Sequence, residues 1–192
     1  MKETLAVIPA RGGSVRIPRK NLVDLGGKPL LLWTTEAAER SELVTRFVVS
    51  TEDVEIAALC KRHGIEWVPQ PLPSALSGSM SAPVVRSALD FLRDSEGYEP
   101  EYICLLHPTS PFRTAEHIDA CIRLAYHWSH GSVLCYTNDV ENGAVLVKRA
   151  SLFRRNGSFM EGAPIMPYSM DERSGLDINT WDDLERARNW LR

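Results

Sequence analysis

The residues richest in chemistry lie between Arg11 and Asn21, in the run Arg-Gly-Gly-Ser-Val-Arg-Ile-Pro-Arg-Lys-Asn. Arg11, Arg16, Arg19 and Lys20 place four cations and no acid in ten residues, against a net charge of −3 for the whole chain. Gly12, Gly13 and Ser14 let the backbone turn sharply and offer consecutive N–H groups to an anion. Peptide amides ringed by fixed positive charge suit a polyphosphate, so the stretch is read as a nucleotide-triphosphate site. A glycine turn beside solvated surface arginines would use the same letters. The local charge excess and the stiffening by Pro9 and Pro18 favour a preformed site instead. Other phosphate loops fit badly: Gly27-Lys28 is followed by Pro29, where a Walker loop needs Ser or Thr, and no Gly-x-Gly-x-x-Gly occurs.

The elements that must position this loop begin just before it. Leu5–Ile8 is an apolar, β-branched run, short enough for a buried strand that Pro9 ends. Gly26-Gly27-Lys28-Pro29 marks a turn, and Pro29 opens a helix over Leu30–Glu39. Arg46–Ser50 is a second buried strand, followed by Thr51 as N-cap of a helix that Gly64 closes. Ile65–Val68 is a short strand, and the Pro-, Ser- and Gly-rich stretch Gln70–Ser81 is a loop. Pro83 starts a helix with Val84, Val85, Ala88, Leu89 and Leu92 as its apolar stripe. Tyr102–Leu106 is the next buried strand, His107–Arg113 a second tight loop, and Ala115–Trp128 a helix facing inward with Ile118, Cys121, Ile122 and Ala125. Further strands are expected at Val133–Tyr136, Ala144–Val147 and Ile165–Tyr168. Thr180 caps a last helix, Trp181–Leu191, with Asp182 and Asp183 in its first turn. This alternation predicts an α/β fold with a parallel sheet, helices on both faces, and sites at the carboxyl ends of its strands. Both loops, Arg11–Asn21 and His107–Arg113, then face one crevice.

At 192 residues the chain is expected to form one domain, and 44% hydrophobic with 24% charged residues is ordinary for a soluble protein. No apolar run approaches the roughly 18 residues of a membrane span. Cys60, Cys104, Cys121 and Cys135 form no Cys-x-x-Cys pair and are read as reduced, buried thiols, hence a cytoplasmic protein. One basic loop on a mildly acidic chain argues against nucleic-acid binding. Met160, Met166 and Met170 are gap-fillers, the histidines show no ligand spacing, and Asp182, Asp183 and Glu185 complement a helix dipole.

Ile8-Pro-Ala-Arg-Gly-Gly-Ser14 with Ile17-Pro-Arg-Lys-Asn21 resembles the opening motif of the acylneuraminate cytidylyltransferases, the CMP-sialic acid synthetases and their relatives. Leu105-Leu-His-Pro-Thr-Ser-Pro-Phe-Arg113, Asn142-Gly-Ala-Val-Leu-Val147 and Leu176-Asp-Ile-Asn-Thr-Trp-Asp-Asp-Leu184 resemble three further motifs of that family, in the same order. The resemblance implies a three-layer, Rossmann-like, mostly parallel sheet of the nucleotide-diphospho-sugar transferase type. It also implies transfer of CMP from CTP to an acidic acceptor of the sialic or nonulosonic acid kind, with release of pyrophosphate. Arg11, Lys20 and Asp177 are its catalytic candidates. Ala10, Arg11, Gly12, Gly13, Ser14, Arg16, Lys20 and Asn21 are its nucleotide residues, and His107, Thr109, Ser110, Arg113 and Asn142 its acceptor residues. Mg²⁺ or Mn²⁺ is the implied cofactor, on Asp177 and Asn179, since hard cations prefer carboxylate oxygen.

The chain departs from the family pattern at several points. Val15 stands for a lysine, His107 for a glutamine, Asn179 for a second aspartate, Gln70 for an arginine and Ser77 for an acid. The connection between 137 and 143 is too short for the family's dimerisation arm, so a monomer, or a homodimer through a reduced interface, is expected. Nucleotide-end residues are mostly kept and acceptor-end residues mostly changed. That pattern also suits a cytidylyltransferase for a small phosphonate such as phosphonoformate, or a nucleotide-binding relative with impaired catalysis.

Overall fold

The computed structural model describes residues 2–70 and 81–192. Ser77 and most of the expected Gln70–Ser81 loop fall outside them. Apolar runs become strands: β1 (Thr4–Pro9), β4 (Arg46–Thr51), β5 (Trp67–Pro69), β6 (Tyr102–Leu105), β7 (Ser132–Thr137), β8 (Val140–Arg149) and β9 (Ile165–Ser169). Between them lie α1 (Leu30–Glu39), α2 (Val54–Arg62), α3 (Ser81–Glu96), α4 (Ala115–His127), α5 (Ala150–Asn156) and α6 (Trp181–Asn189). A small hairpin, β2 (Asp24–Leu25) with β3 (Lys28–Pro29), turns on Gly26 and Gly27 at φ 63° and 88°, angles a side chain would strain.

The seven-stranded sheet runs β5-β4-β1-β6-β8-β7-β9. Pairings of β1 with β4 and β6, of β4 with β5, and of β7 with β9 are parallel, whereas β8 runs against both β6 and β7. The sheet is thus mostly parallel, as the family resemblance implies, with β8 the one reversed strand. The reason is local: β7 and β8 are joined by a two-residue turn at Asn138 and Asp139, both at positive φ, which suits a hairpin and leaves no room for a crossover. Because β8 is reversed, its first residues sit at the same edge as the carboxyl end of β6, with Leu105 opposite Leu146.

Alternation along the strands divides the core in two. Ala6, Ile8, Val49, Cys104, Val133 and Val147 face α1, α2 and α4. Leu5, Val7, Val48, Ile103, Leu105 and Leu146 face α3 and α5. A third, smaller core joins Ile17 of the basic loop to Leu25, Leu30, Leu176, Ile178, Leu184 and Ala187. Ile17 and Ile178 are both fully buried there, and each such burial is worth about 1.5–3 kcal/mol. The two ends of the chain are thereby packed onto one another beside the sheet.

Two helix starts differ from the reading of the sequence. Asp53, not Thr51, caps α2 by accepting from the Glu55 and Ile56 amides at 2.9 and 3.0 Å, while Thr51 Oγ1 accepts from the Asp53 amide. Both residue types cap well, and the longer β4 carries Thr51 inside the sheet. α3 begins at Ser81, ahead of Pro83, which sits in its first turn. Thr180 caps α6 as expected, bonding the Asp183 amide while Asp183 accepts from the Thr180 amide.

Candidate functional site

β1 delivers the basic loop, and its glycines do not act as the letters suggest. Neither Gly12 nor Gly13 is among the positive-φ residues. Gly12 is required by close approach, since an added Cβ would lie 2.7 Å from Asp53 Cγ, while one on Gly13 would meet nothing within 4 Å. The amides do not form an open nest. Gly12 N–H donates to Glu52 Oε1 at 2.8 Å and Ser14 N–H to Gly12 O at 3.0 Å. Among the described residues, Gly13 alone of the three keeps its amide free.

The four cations also divide. Arg19 is committed to α2, pairing with Asp53 at 2.6 Å and with Glu55 at 2.7 Å from a left-handed backbone at φ 57°. Burial pushes the Asp53 carboxyl up, but Arg19 and the two capping amides together hold it below its ordinary value. Arg11 and Arg16 are exposed and remain with Lys20. Val15, at the family's lysine position, is 89% exposed, so it fills no space that Arg16 has to replace. Asn21 is buried and its Nδ2 donates to Arg11 O at 2.9 Å. That bond closes the loop and takes one of the two Nδ2 donors, leaving the other N–H and Oδ1 without a protein partner among the described residues.

Three motifs distant in sequence meet at Ile178. Its N–H donates to Thr109 O at 2.7 Å, and its carbonyl accepts from Lys20 Nζ at 2.8 Å. Asn179 Oδ1 also faces Lys20 Nζ at 3.4 Å, while its Nδ2 donates to Asp177 Oδ2 at 2.6 Å. Burial lowers the Lys20 pKa; the Asp177 charge opposes that, and Arg11 and Arg16 add to it. Asp177 Oδ1 is buried without any partner among the described residues. A buried carboxylate oxygen left bare is costly and suits a cation. Asn179 Oδ1 is turned toward the Lys20 ammonium group, so of the two residues Asp177 is the one with a bare oxygen for a cation. No cluster of three His, Cys, Asp or Glu side chains able to hold a metal occurs among the described residues.

The second loop is stapled from inside. Arg113, expected to bind the acceptor, is only 2% exposed. Its Nη2 donates to His107 O, Ser110 O and Thr34 Oγ1 at 2.7, 2.9 and 2.8 Å. Burial without a carboxylate brings its pKa down to about 10. Ser110 is fully buried beside it. Both therefore shape the loop and do not reach the crevice. Asn142 is likewise spent, with Nδ2 on Thr137 Oγ1 and Oδ1 on the Ala144 amide, each at 2.9 Å. Gly175 packs so closely on Thr137 and Asn142 that a Cβ would come within 2.6 Å of Asn142 Nδ2. This fixes the segment leading to Asp177 against the start of β8.

His107 and Thr109 remain at the crevice, both partly buried. Sequence reasoning missed Glu141, which neighbours them: its Oε1 accepts from Gly143 N–H at 2.7 Å, and burial, with the Asp177 charge, raises its pKa. An acid two residues ahead of a glycine at φ 69° was the available signal. It also missed Glu52 and a cavity of about 350 Å³ bounded by Thr51, Glu52, Trp67 and Gln70. Glu52 Oε2 and Gln70 Oε1 are buried there without partners among the described residues.

A mostly parallel sheet with a basic loop, a second loop and a bare carboxylate gathered at one edge defines a nucleotide-handling α/β protein. More specifically, residues 5–150 match the family model described as Cytidylyltransferase, and the chain belongs to that family. It is 35% identical over 120 residues to N-acylneuraminate cytidylyltransferase of Escherichia coli, covering 62% of this chain and 27% of that protein. It is 37% identical over 111 residues to pseudaminic acid cytidylyltransferase of Campylobacter jejuni, covering 57% of this chain and 47% of that one. The chain thus spans a quarter to a half of the length of these relatives. Among solved structures, CMP:2-keto-3-deoxy-manno-octonic acid synthetase complexed with CTP superposes with a TM-score of 0.77 at 14% identity, covering 98% of both chains, which speaks to fold. Among the described residues no helix is long and apolar enough to cross a membrane.

Proposed function

We propose that this chain transfers CMP from CTP to a hydroxyl of an acidic acceptor and releases pyrophosphate. One observation carries this reading: Ile178 bonds Lys20 and Thr109 at once, so the basic loop, the second loop and Asp177 share one crevice. In-line attack on the α-phosphorus needs both anions held in register and charge neutralised where it develops. Lys20 is fixed by the Ile178 carbonyl, with Arg11 and Arg16 close enough to depress its pKa, and the three together supply that positive field. Gly13 N–H adds a donor, and Gly12 N–H joins it if Glu52 yields. Glu52 Oε2 and Gln70 Oε1 offer two acceptors to the cytosine amino group. Asp177 would hold Mg²⁺ through its bare oxygen, and that ion would neutralise phosphate charge when bound.

The decisive test is pyrophosphate release from CTP and Mg²⁺ across a panel of acidic acceptors, including nonulosonic acids and small phosphonates such as phosphonoformate. Silence with every acceptor would remove the transferase reading. A second reading, a CTP-binding relative with impaired catalysis, draws support from Asn179, whose oxygen faces Lys20 and not Asp177. It predicts calorimetric binding of CTP without turnover, and recovery of turnover in Asn179→Asp.

A further inference from the structure

We propose that Glu52 is an internal anion seated on the basic loop, which a polyphosphate must displace from the Gly12 amide, and that it thereby makes the loop select amino-bearing nucleotides over bare polyphosphates. The displacement concerns the loop alone; the selectivity rests on the placement of the nucleotide proposed above. The sheet brings the two residues together. β1 and β4 run in parallel register as far as Pro9 opposite Ser50, and the Ala10 amide carries the pairing on to Ser50 O at 2.8 Å. Two residues further along, the Gly12 amide meets a side chain instead, and Glu52 Oε1 accepts its N–H at 2.8 Å. Backbone amides beside arginine and lysine are donors for a phosphate oxygen. Here one of them already holds a carboxylate.

That seat is a weak one. Asp53 and Glu55 pair with Arg19, whereas Glu52 enters no ion pair among the described residues. Its Oε2 is buried without a partner among them. Asp53, by contrast, accepts from two amides and from Arg19. Of the two acids against Gly12, Asp53 is fixed and Glu52 is the one able to move. A phosphate oxygen arriving at the Gly12 N–H meets a like charge on the same donor, so the carboxylate has to leave. Glu52 also lines the cavity with Thr51, Trp67 and Gln70, where Gln70 Oε1 is a second bare acceptor. A nucleotide with an amino group there gives the displaced carboxylate a new donor, and a bare polyphosphate gives it none. The same side chain therefore opposes tripolyphosphate more than it opposes CTP.

The test compares calorimetric affinities for inorganic tripolyphosphate and CTP in the wild type, Glu52→Ala and Glu52→Gln, and follows the Gly12 and Gly13 amides by NMR. Tripolyphosphate should bind Glu52→Ala about tenfold more tightly than the wild type, the equivalent of one charged hydrogen bond no longer opposing it. Glu52→Gln should fall between them, because glutamine keeps an acceptor for Gly12 without the charge. CTP should gain less than about threefold, so its lead over tripolyphosphate narrows. In the wild type, saturating tripolyphosphate should shift both the Gly12 amide and the Glu52 side-chain carboxyl ¹³C signal. If Glu52 only braces the loop, Glu52→Ala binds tripolyphosphate no better than the wild type, and that result overturns the displacement. Tighter binding with an unmoved Gly12 amide reflects lost charge alone and overturns it as well. A CTP gain as large as the tripolyphosphate gain overturns the selectivity. None of these readings needs turnover: silence of every acceptor removes the transferase reading and leaves the displacement to be decided, whereas failure of tripolyphosphate to bind any of the three proteins overturns the displacement whatever the turnover.

Discussion

Gly12→Ala and Gly13→Ala form a sharp pair of perturbations, because the structure assigns neighbouring glycines opposite tolerances. A Cβ on Gly12 would lie 2.7 Å from Asp53 Cγ and 2.9 Å from Asp53 Cβ, distances real Cβ atoms do not show. Asp53 cannot swing aside freely, since it caps α2 and pairs with Arg19. Overpacking of this kind costs about 1–3 kcal/mol, and losing the cap adds about 1 kcal/mol, so Gly12→Ala should destabilise by about 2–4 kcal/mol. Gly13→Ala meets nothing within 4 Å and needs no left-handed backbone, so its effect should stay within about 0.5 kcal/mol. Urea unfolding of both variants reads this directly. In an Asp53→Ala background only the 2.9 Å contact to Cβ survives. The Gly12→Ala penalty should then fall to about 1 kcal/mol, a coupling visible in a double-mutant cycle. Equal costs at the two glycines, or full additivity with Asp53→Ala, would refute the close-approach account of Gly12.

Other expectations follow from single contacts. Lys20→Met should weaken CTP binding about 10- to 100-fold by calorimetry, the equivalent of one charged hydrogen bond; in the wild type, affinity should fall as pH rises through a value below 10.5, because burial lowers the Lys20 pKa. His107 is held neutral by burial, so the unfolded chain binds more protons than the folded one below pH 6.5. Stability should be fully present above that pH and decline as pH falls below it, and His107→Gln should flatten this part of a thermal-melt profile. Arg113→Lys keeps the charge but loses the planar guanidinium whose Nη2 meets His107 O, Ser110 O and Thr34 Oγ1, and should cost about 1–3 kcal/mol in urea unfolding.

Much of the fold was legible because its elements announce themselves locally. Leu30–Glu39 was bounded correctly by a preceding proline, and the helix expected over Ala115–Trp128 from its inward stripe of Ile118, Cys121, Ile122 and Ala125 ends one residue earlier, at His127. The reversal of β8 was not legible, since period-two alternation carries no strand direction, and only the brevity of the Asn138–Asp139 turn decides it. At the site, the location of the basic loop was readable from charge. Which cations stay available was not, because Arg19's partners Asp53 and Glu55 come from a helix more than thirty residues on. Arg113 and Asn142 show a related blind spot. Long polar side chains in a motif look like ligand contacts, yet here they satisfy backbone groups within their own loop or hairpin, and only burial distinguishes the two uses.

The bond between Lys20 and Ile178 spans 158 residues of sequence. Until the segment around Ile178 has docked, the basic loop has neither the carbonyl that orients Lys20 nor the small core that seats Ile17, so anion binding by the loop should arise together with that long-range packing and not ahead of it.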